Sequence, residues 1–284
     1  MSYELVGVDW NLSSWGTGGN LYATMLARMT SVSASLLVDA DNYNVTQPLA
    51  DVAAFCAGLR SARVVITGQM HAAPKVGNFG TVVYTVGTGY TKLVKGYRFR
   101  MEADIHDITA APETVGGTPP TWRNFRPDVF QWGGQFVCGV DSGTAATLPP
   151  VANTYNGSAT PFPTIQLAYG NSVTPETFTG QAHIGPMEVA VGRGQDARYI
   201  YGFQGSGALT SAGTTPFIAA GTVTAPLWSQ GGSAVGAMVL APKDSTRYFT
   251  IADTFWQSIE ITSGVGDVVG VQIVAQSCGA ITPT

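Results

Sequence analysis

The chain says nearly the same thing twice near its end. Residues 187–210, MEVAVGRGQDARYIYGFQGSGALT, align without a gap to residues 259–282, IEITSGVGDVVGVQIVAQSCGAIT, and internal repetition constrains architecture before any single residue does. Seven of the 24 aligned positions are identical: Glu188/Glu260, Gly192/Gly264, Gly194/Gly266, Gln204/Gln276, Gly207/Gly279, Ala208/Ala280 and Thr210/Thr282. Composition alone would give roughly two. Each copy sets a Gly-x-Gly (Gly192 and Gly194; Gly264 and Gly266) between two apolar-rich segments. A hairpin or bulge with positive backbone angles needs that pattern, so the simplest reading is a repeated β-hairpin. Met187, Val189 and Val191 alternate before the first turn; Val269, Val271, Ile273 and Ala275 alternate after the second. One sheet face is therefore buried in each copy.

At 284 residues the chain has room for one large domain or two ordinary ones, and two copies of a hairpin favour two. Only 11% of residues are charged, against about a quarter in ordinary globular proteins. Much of the surface must then be polar and uncharged, or covered by other chains, which points to obligate assembly. A net charge of −4 gives no electrostatic basis for gripping phosphate. Cys56, Cys138 and Cys278 are scattered and form no Cys-x-x-Cys pair, so neither a disulfide framework nor a zinc site is expected. The N-terminal MSYELVGVDW lacks a secretory pattern, and no apolar run is long enough for a membrane-spanning helix.

Alternation recurs along the chain and predicts an all-β fold of about a dozen strands. The cleanest case is residues 97–108: Phe99, Met101, Ala103 and Ile105 fall on one side, Arg100, Glu102, Asp104 and His106 on the other. Residues 31–41 and 62–70 also read as strands. Residues 11–20 read as an irregular arm, and 111–121 and 145–160 as exposed loops. One short helix is expected at about 47–57, where Leu49, Val52, Ala53 and Cys56 recur at i, i+3, i+4 and i+7. Thr46 would cap its start and Gly58 its end.

No catalytic, cofactor or metal site is predicted, and the chain reads as a non-enzyme. Gly192-Arg-Gly194-Gln-Asp-Ala197 imitates a dinucleotide fingerprint, but a strand follows where that motif requires a helix. His71, His106 and His183 are isolated from one another in sequence. Glu102, Asp104 and Asp107 form an acidic stripe that fits a solvated strand face better than a cation site. Trp122, Phe125, Phe130 and Trp132 fit core or interface packing, with sugar stacking as the other use.

Residues 178–210, ending in Phe203-Gln-Gly-Ser-Gly-Ala208, resemble the closing strands of tail tube proteins of long-tailed, siphovirus-like bacteriophages; the second copy, ending Ala275-Gln-Ser-Cys-Gly-Ala280, departs from them at Cys278 and lacks the Phe. Residues 36–68, through Phe55-Cys-Ala-Gly58-Leu59, resemble the family's earlier half, and residues 99–139 resemble it more weakly, without the Gly-Leu. The resemblance implies two tail-tube-like β-sandwich or barrel modules. An outer one would span 1–92 and 213–284 and enclose an inner one of 93–212; a tandem split near residue 142 is the other arrangement.

The function implied is that of a structural virion protein, assembled in the host cytoplasm into the tail. Its partners would be itself, in stacked trimeric pseudo-sixfold or hexameric rings, other tail proteins, and DNA passing the lumen without specific binding, with no membrane involved. Arg100, Glu102, Asp104 and His106 are the expected lumen or interface face, and loop 111–121 an inter-ring contact. A capsid decoration protein or another tail component of the same fold is the alternative, and a carbohydrate-binding β-sandwich the alternative of another class.

Overall fold

The computed structural model describes residues 10–15, 26–42, 55–70, 81–86, 88–109, 122–139, 164–169, 176–194, 197–212, 221–223, 237–242, 248–264 and 269–283. These hold fifteen strands and no helix: β1 (Trp10–Trp15), β2 (Leu26–Asn42), β3 (Phe55–Met70), β4 (Thr81–Val86), β5 (Thr88–Asp107), β6 (Phe125–Gly139), β7 (Thr164–Tyr169), β8 (Glu176–Ala190), β9 (Arg198–Ala212), β10 (Gly221–Val223), β11 (Met238–Pro242), β12 (Phe249–Ile251), β13 (Thr254–Gly264), β14 (Gly270–Ser277) and β15 (Ile281–Pro283). The protein is all-β. Eleven strands form one large sheet, and four form a smaller one in the order β1-β11-β12-β15.

Six strands of the large sheet close on themselves. β5 pairs β6, β6 pairs β9, β9 pairs β8, β8 pairs β7, β7 pairs β4, and β4 returns to β5, every ladder antiparallel. Closure satisfies backbone groups that an open sheet would leave on its edges. The alternation expected in β5 is present: Tyr97, Phe99, Met101 and Ala103 are buried, while Arg98, Arg100 and Asp104 are exposed. Phe99 meets Phe178 at 5.0 Å between ring centroids, and Phe136 stacks on Tyr201 at 5.0 Å. Full burial of each such side chain contributes about 1.5–3 kcal/mol. The same buried cluster continues through Val64, Ile66, Ile259, Ile261, Val271 and Ile273 of the open part of the sheet to Met238, Leu240 and Ile251 of the small sheet. Among the described strands, the β5–β13 ladder alone joins the group β4–β10 to the rest; an isolated bridge from Arg60 to Trp122 supplements it.

The repeat is written in the strand registers. The ladder from Thr262↔Gly270 to Thr254↔Ser277 and the ladder from Ala190↔Arg198 to Ala182↔Gly205 match at a constant offset of 72 residues (Glu188 to Glu260), with bulges at Ile184/Met187 and Trp256/Ser258 in corresponding places. The β2–β3 and β5–β6 hairpins match as well, at offsets of 65 (Val32 to Tyr97) and 70 (Ile66 to Phe136). Both bulges of β5–β6 have counterparts in β2–β3, Val94/Gly96 with Met29/Ser31 and Ala103/Ile105 with Val38/Ala40, while the β2–β3 bulge at Leu26/Arg28 lies beyond the matched stretch. The ladders that join hairpin to hairpin agree too, Arg63↔Gln276 with Gly133↔Gln204. The four strands β2-β3-β14-β13 are therefore laid out like β5-β6-β9-β8.

The two units fill their cores differently. Trp132 lies over two glycines: a Cβ on Gly205 would come 2.1 Å from its Cε2, and one on Gly180 2.5 Å from its Cζ2. Its Nε1 donates to the Gly207 carbonyl at 3.1 Å. On the matched ladders the other unit holds Ala62 in place of the indole and Ser277 in place of Gly205. One unit sets a large ring over a glycine where the other sets two small side chains.

Two expectations are corrected. The helix over 47–57 fails at its C-terminal turn: Phe55, Cys56 and Ala57 are strand residues paired with Asn42, Asp41 and Ala40, and residues 47–54 lie outside the described residues. Gly58, expected as a helix stop, falls at the bulge between the pairs Val38↔Arg60 and Ala40↔Ala57. A glycine flanked by apolar residues serves a bulge as well as a helix end, and the sheet's pairing overrides a four-residue apolar stripe. In the expected irregular arm at 11–20, Asn11–Trp15 instead pair with β11, with the Ser-rich stretch absorbed by a bulge between Leu12 and Ser14; residues 16–20 lie outside the described residues. So do the loops at 111–121 and 145–160, and Gly266. Gly192 and Gly194 lie in the β8–β9 connection, where Gly194 has φ +75°, and Gly264 ends β13.

Candidate functional site

The polar side of β5 sits at the centre of a broad exposed face. Pairing places Arg98, Arg100 and Glu102 opposite Thr262, Glu260 and Ser258 of β13 on one side, and opposite Gln135, Gly133 and Gln131 of β6 on the other. The ladders extend it through Gln272 of β14, Thr67 of β3 and Ser31 of β2 in one direction, and through Gln204 of β9 and His183 of β8 in the other. Eight strands, β2-β3-β14-β13-β5-β6-β9-β8, thus share one polar face built mainly of Ser, Thr and Gln.

At its centre the charges cancel locally. Arg98 donates to both oxygens of Glu260, Nε to Oε1 at 2.7 Å and Nη2 to Oε2 at 2.8 Å. This two-pronged bond and the carboxylate's charge raise the Arg98 pKa. Arg100 Nη2 lies 2.6 Å from Glu102 Oε2, and Gln131 Nε2 donates to Glu102 Oε1 at 3.0 Å. A groove of about 340 Å³ opens among Arg98, Arg100, Glu102, Gln131, Gln135 and Gln204. Gly133 and Gly134 also line it; a Cβ on Gly134 would meet the Arg98 carbonyl oxygen at 2.0 Å, so the strand spacing beneath the groove depends on a missing side chain.

Of the four expected face residues, the structure brings Arg100 and Glu102 together. Asp104 and His106 follow on the same strand, both exposed, with Asp104 at the bulge and His106 opposite Arg126. Neither lines the groove. Sequence reasoning missed Glu260 as the partner of Arg98, although Glu260 is one of the repeat's identities. It also missed Arg123. That guanidinium joins Asp39 of β2 to Asp107 of β5: Nε donates to Asp39 Oδ2 at 3.1 Å, Nη2 donates to the same oxygen, and Nη1 donates to Asp107 Oδ2 at 2.7 Å. The Arg123 N–H donates to the Arg60 carbonyl at 2.7 Å. Asp107 is held below the ordinary carboxylate pKa chiefly by the Thr109 hydroxyl and backbone N–H, with Arg123 adding to it. A clamp thus ties the two four-strand units at one end of the shared face. No spacing in the sequence announces a contact between residues 84 positions apart.

The aromatics considered for sugar stacking are largely committed elsewhere. Trp132 is buried, and Phe130 meets Trp256 edge-on at 6.2 Å. Cys278 accepts the Phe125 N–H at 3.2 Å, and burial pushes its thiol pKa up, which disfavours the reactive thiolate. Among the described residues no three His, Cys, Asp or Glu side chains gather as a metal site. No protein-family model matches the chain, and no curated protein or solved structure is significantly similar to it.

Proposed function

We propose that the chain is a self-assembling structural protein, the tail tube subunit of a long-tailed bacteriophage, and that its eight-strand polar face lines a channel for DNA. The observation that carries this reading is the face itself: two four-strand units of equivalent register, side by side in one sheet, presenting polar and charge-cancelled residues. The motif resemblance of residues 36–68 and 178–210 supplies the virion context, and an outer discontinuous module around an inner one is the organisation proposed with it, with the inner module widened from the expected 93–212 to take in β4 (Thr81–Val86) and β10 (Gly221–Val223), which pair within it.

Geometry supports the reading. If three chains close a ring, 24 strands surround the lumen, three times the eight of one chain's face. With strands about 4.8 Å apart and tilted about 40°, such a barrel measures roughly 48 Å between opposite backbones, leaving a channel of roughly 40 Å inside the side chains. That admits duplex DNA. A wall rich in Ser, Thr and Gln, with Arg98 and Arg100 at its centre already paired, offers phosphate no run of free cations, so the polymer slides past instead of binding.

Electron microscopy of the concentrated protein tests this directly. Hollow tubes or stacked rings with a continuous central channel are expected. Solid particles, or a monomer that persists at high concentration, would overturn it.

A further inference from the structure

The two ends of the eight-strand face are unfilled copies of the junction at its middle. Within the chain, β13 pairs β5 from Ser258↔Glu102 to Gly264↔Gly96. By the register equivalence, β8 is the counterpart of β13, and β2 is the counterpart of β5. Both counterparts keep an open edge. β7 covers β8 only over Glu176–Gln181, and among the described residues nothing pairs that edge from Ala182 to Ala190 or the outer edge of β2.

Exposure makes the same point residue by residue. Ile261, Met101 and Ala103 at the filled junction are 0%, 0% and 3% exposed, whereas their counterparts Val189, Leu36 and Val38 at the open edges are 52%, 50% and 46% exposed. Apolar residues on an open, uncharged edge are an aggregation hazard unless another strand covers them. The two edges differ from each other, and each is complementary to the other instead of to itself.

We propose that β8 of one copy adds antiparallel to β2 of a second copy in the register that β13 and β5 use internally, so that Val189 stands opposite Ala34 and Ala190 opposite Ser33. The occupant is a second copy because this chain itself carries the matching half of the junction, as β13 and β5 show. The contact is heterologous, which yields either a closed ring or an open chain. This rests on the self-assembling part of the function proposed above and not on its channel.

Paired cysteines test it. The double variants A34C/V189C and S33C/A190C sample neighbouring positions, one of which must be the close, non-hydrogen-bonded pair whose Cα atoms lie about 4.5 Å apart and can form a disulfide. On oxidation of the assembled protein, one double variant should pass largely into covalent multimers ending at a closed trimer, while each single variant remains monomeric on a non-reducing gel. Covalent dimers from A34C or V189C alone would mean a self-paired edge and would overturn the junction. Failure of both double variants in a sample that sedimentation shows to be assembled would also overturn it, leaving the tube reading intact. Cross-linked multimers that microscopy shows to be open chains without a channel would retain the junction and sink the tube reading. If nothing assembles and nothing cross-links at any concentration, both fall together.

Discussion

Replacing Gly205 with Ser should destabilise the fold severely, yet Ser is the residue that the equivalent position 277 carries. A Cβ at Gly205 would stand 2.1, 2.2 and 2.6 Å from Cε2, Cδ2 and Nε1 of Trp132. The indole is rigid, and its far edge is already against Gly180, so it can neither bend at a tip nor retreat across the core. Overpacking of this kind costs about 1–3 kcal/mol, and tilting the ring away from the Gly207 carbonyl forfeits about 1 kcal/mol more. The expected loss is about 2–4 kcal/mol, a large share of the 5–15 kcal/mol typical of a domain. Trp132→Ala alone should cost about 3–5 kcal/mol through its cavity. The pair W132A/G205S installs the arrangement of Ala62 and Ser277, and removes the clash together with the ring. Its cost should fall at least 2 kcal/mol short of the sum of the singles, roughly the strain that G205S creates. Urea unfolding followed by far-ultraviolet circular dichroism, at a concentration below assembly, measures all three. Additivity within about 0.5 kcal/mol would refute the idea that indole and glycines trade volume.

Gly194→Ala should cost about 1 kcal/mol in the same assay, because φ of +75° penalises any side chain while no atom lies within 4 Å of the new methyl. Leu36→Lys should leave the melting temperature nearly unchanged, since the lysine stem covers what the half-exposed leucine covered. It should nevertheless weaken assembly more than a hundredfold by sedimentation velocity, because closing the edge would bury an unpaired ammonium. The depressed pKa of Asp107 contributes stability above the unfolded carboxylate value of about 3.9, and that contribution disappears as pH falls through the lower folded value. Asp107→Asn should therefore be less stable than the parent at pH 7 and show a flatter loss of stability between pH 5 and the acid limit; an unchanged acid limb would contradict the clamp.

Much of this fold was legible because β-structure writes itself in period two. Phe99, Met101 and Ala103 are buried and Arg100 and Asp104 exposed as their alternation required, and the repeated Gly-x-Gly pattern marks two hairpins of equal register. The helix at 47–57 misled because its stripe rested on four apolar residues and a glycine, and Gly58 serves a bulge just as well. The β2–β3 and β5–β6 equivalence was nearly silent in sequence: Asp39/Asp104 is the one identity between Ser31–Asn42 and Gly96–Asp107. Register is fixed by backbone pairing and bulge position, which many side chains satisfy. The ion pairs of Arg98 and Arg123 were illegible for another reason, since each joins residues brought together only by long-range pairing.

The central claim is that one chain supplies two equivalent four-strand units to a closed ring, and the rotational symmetry of the assembled particle tests it most directly. End-on cryo-electron microscopy should show six similar lobes that resolve into three identical pairs, with 24 strands around the lumen. Six chains per ring, or a ring in which successive lobes are related by no repeat within the chain, would contradict it.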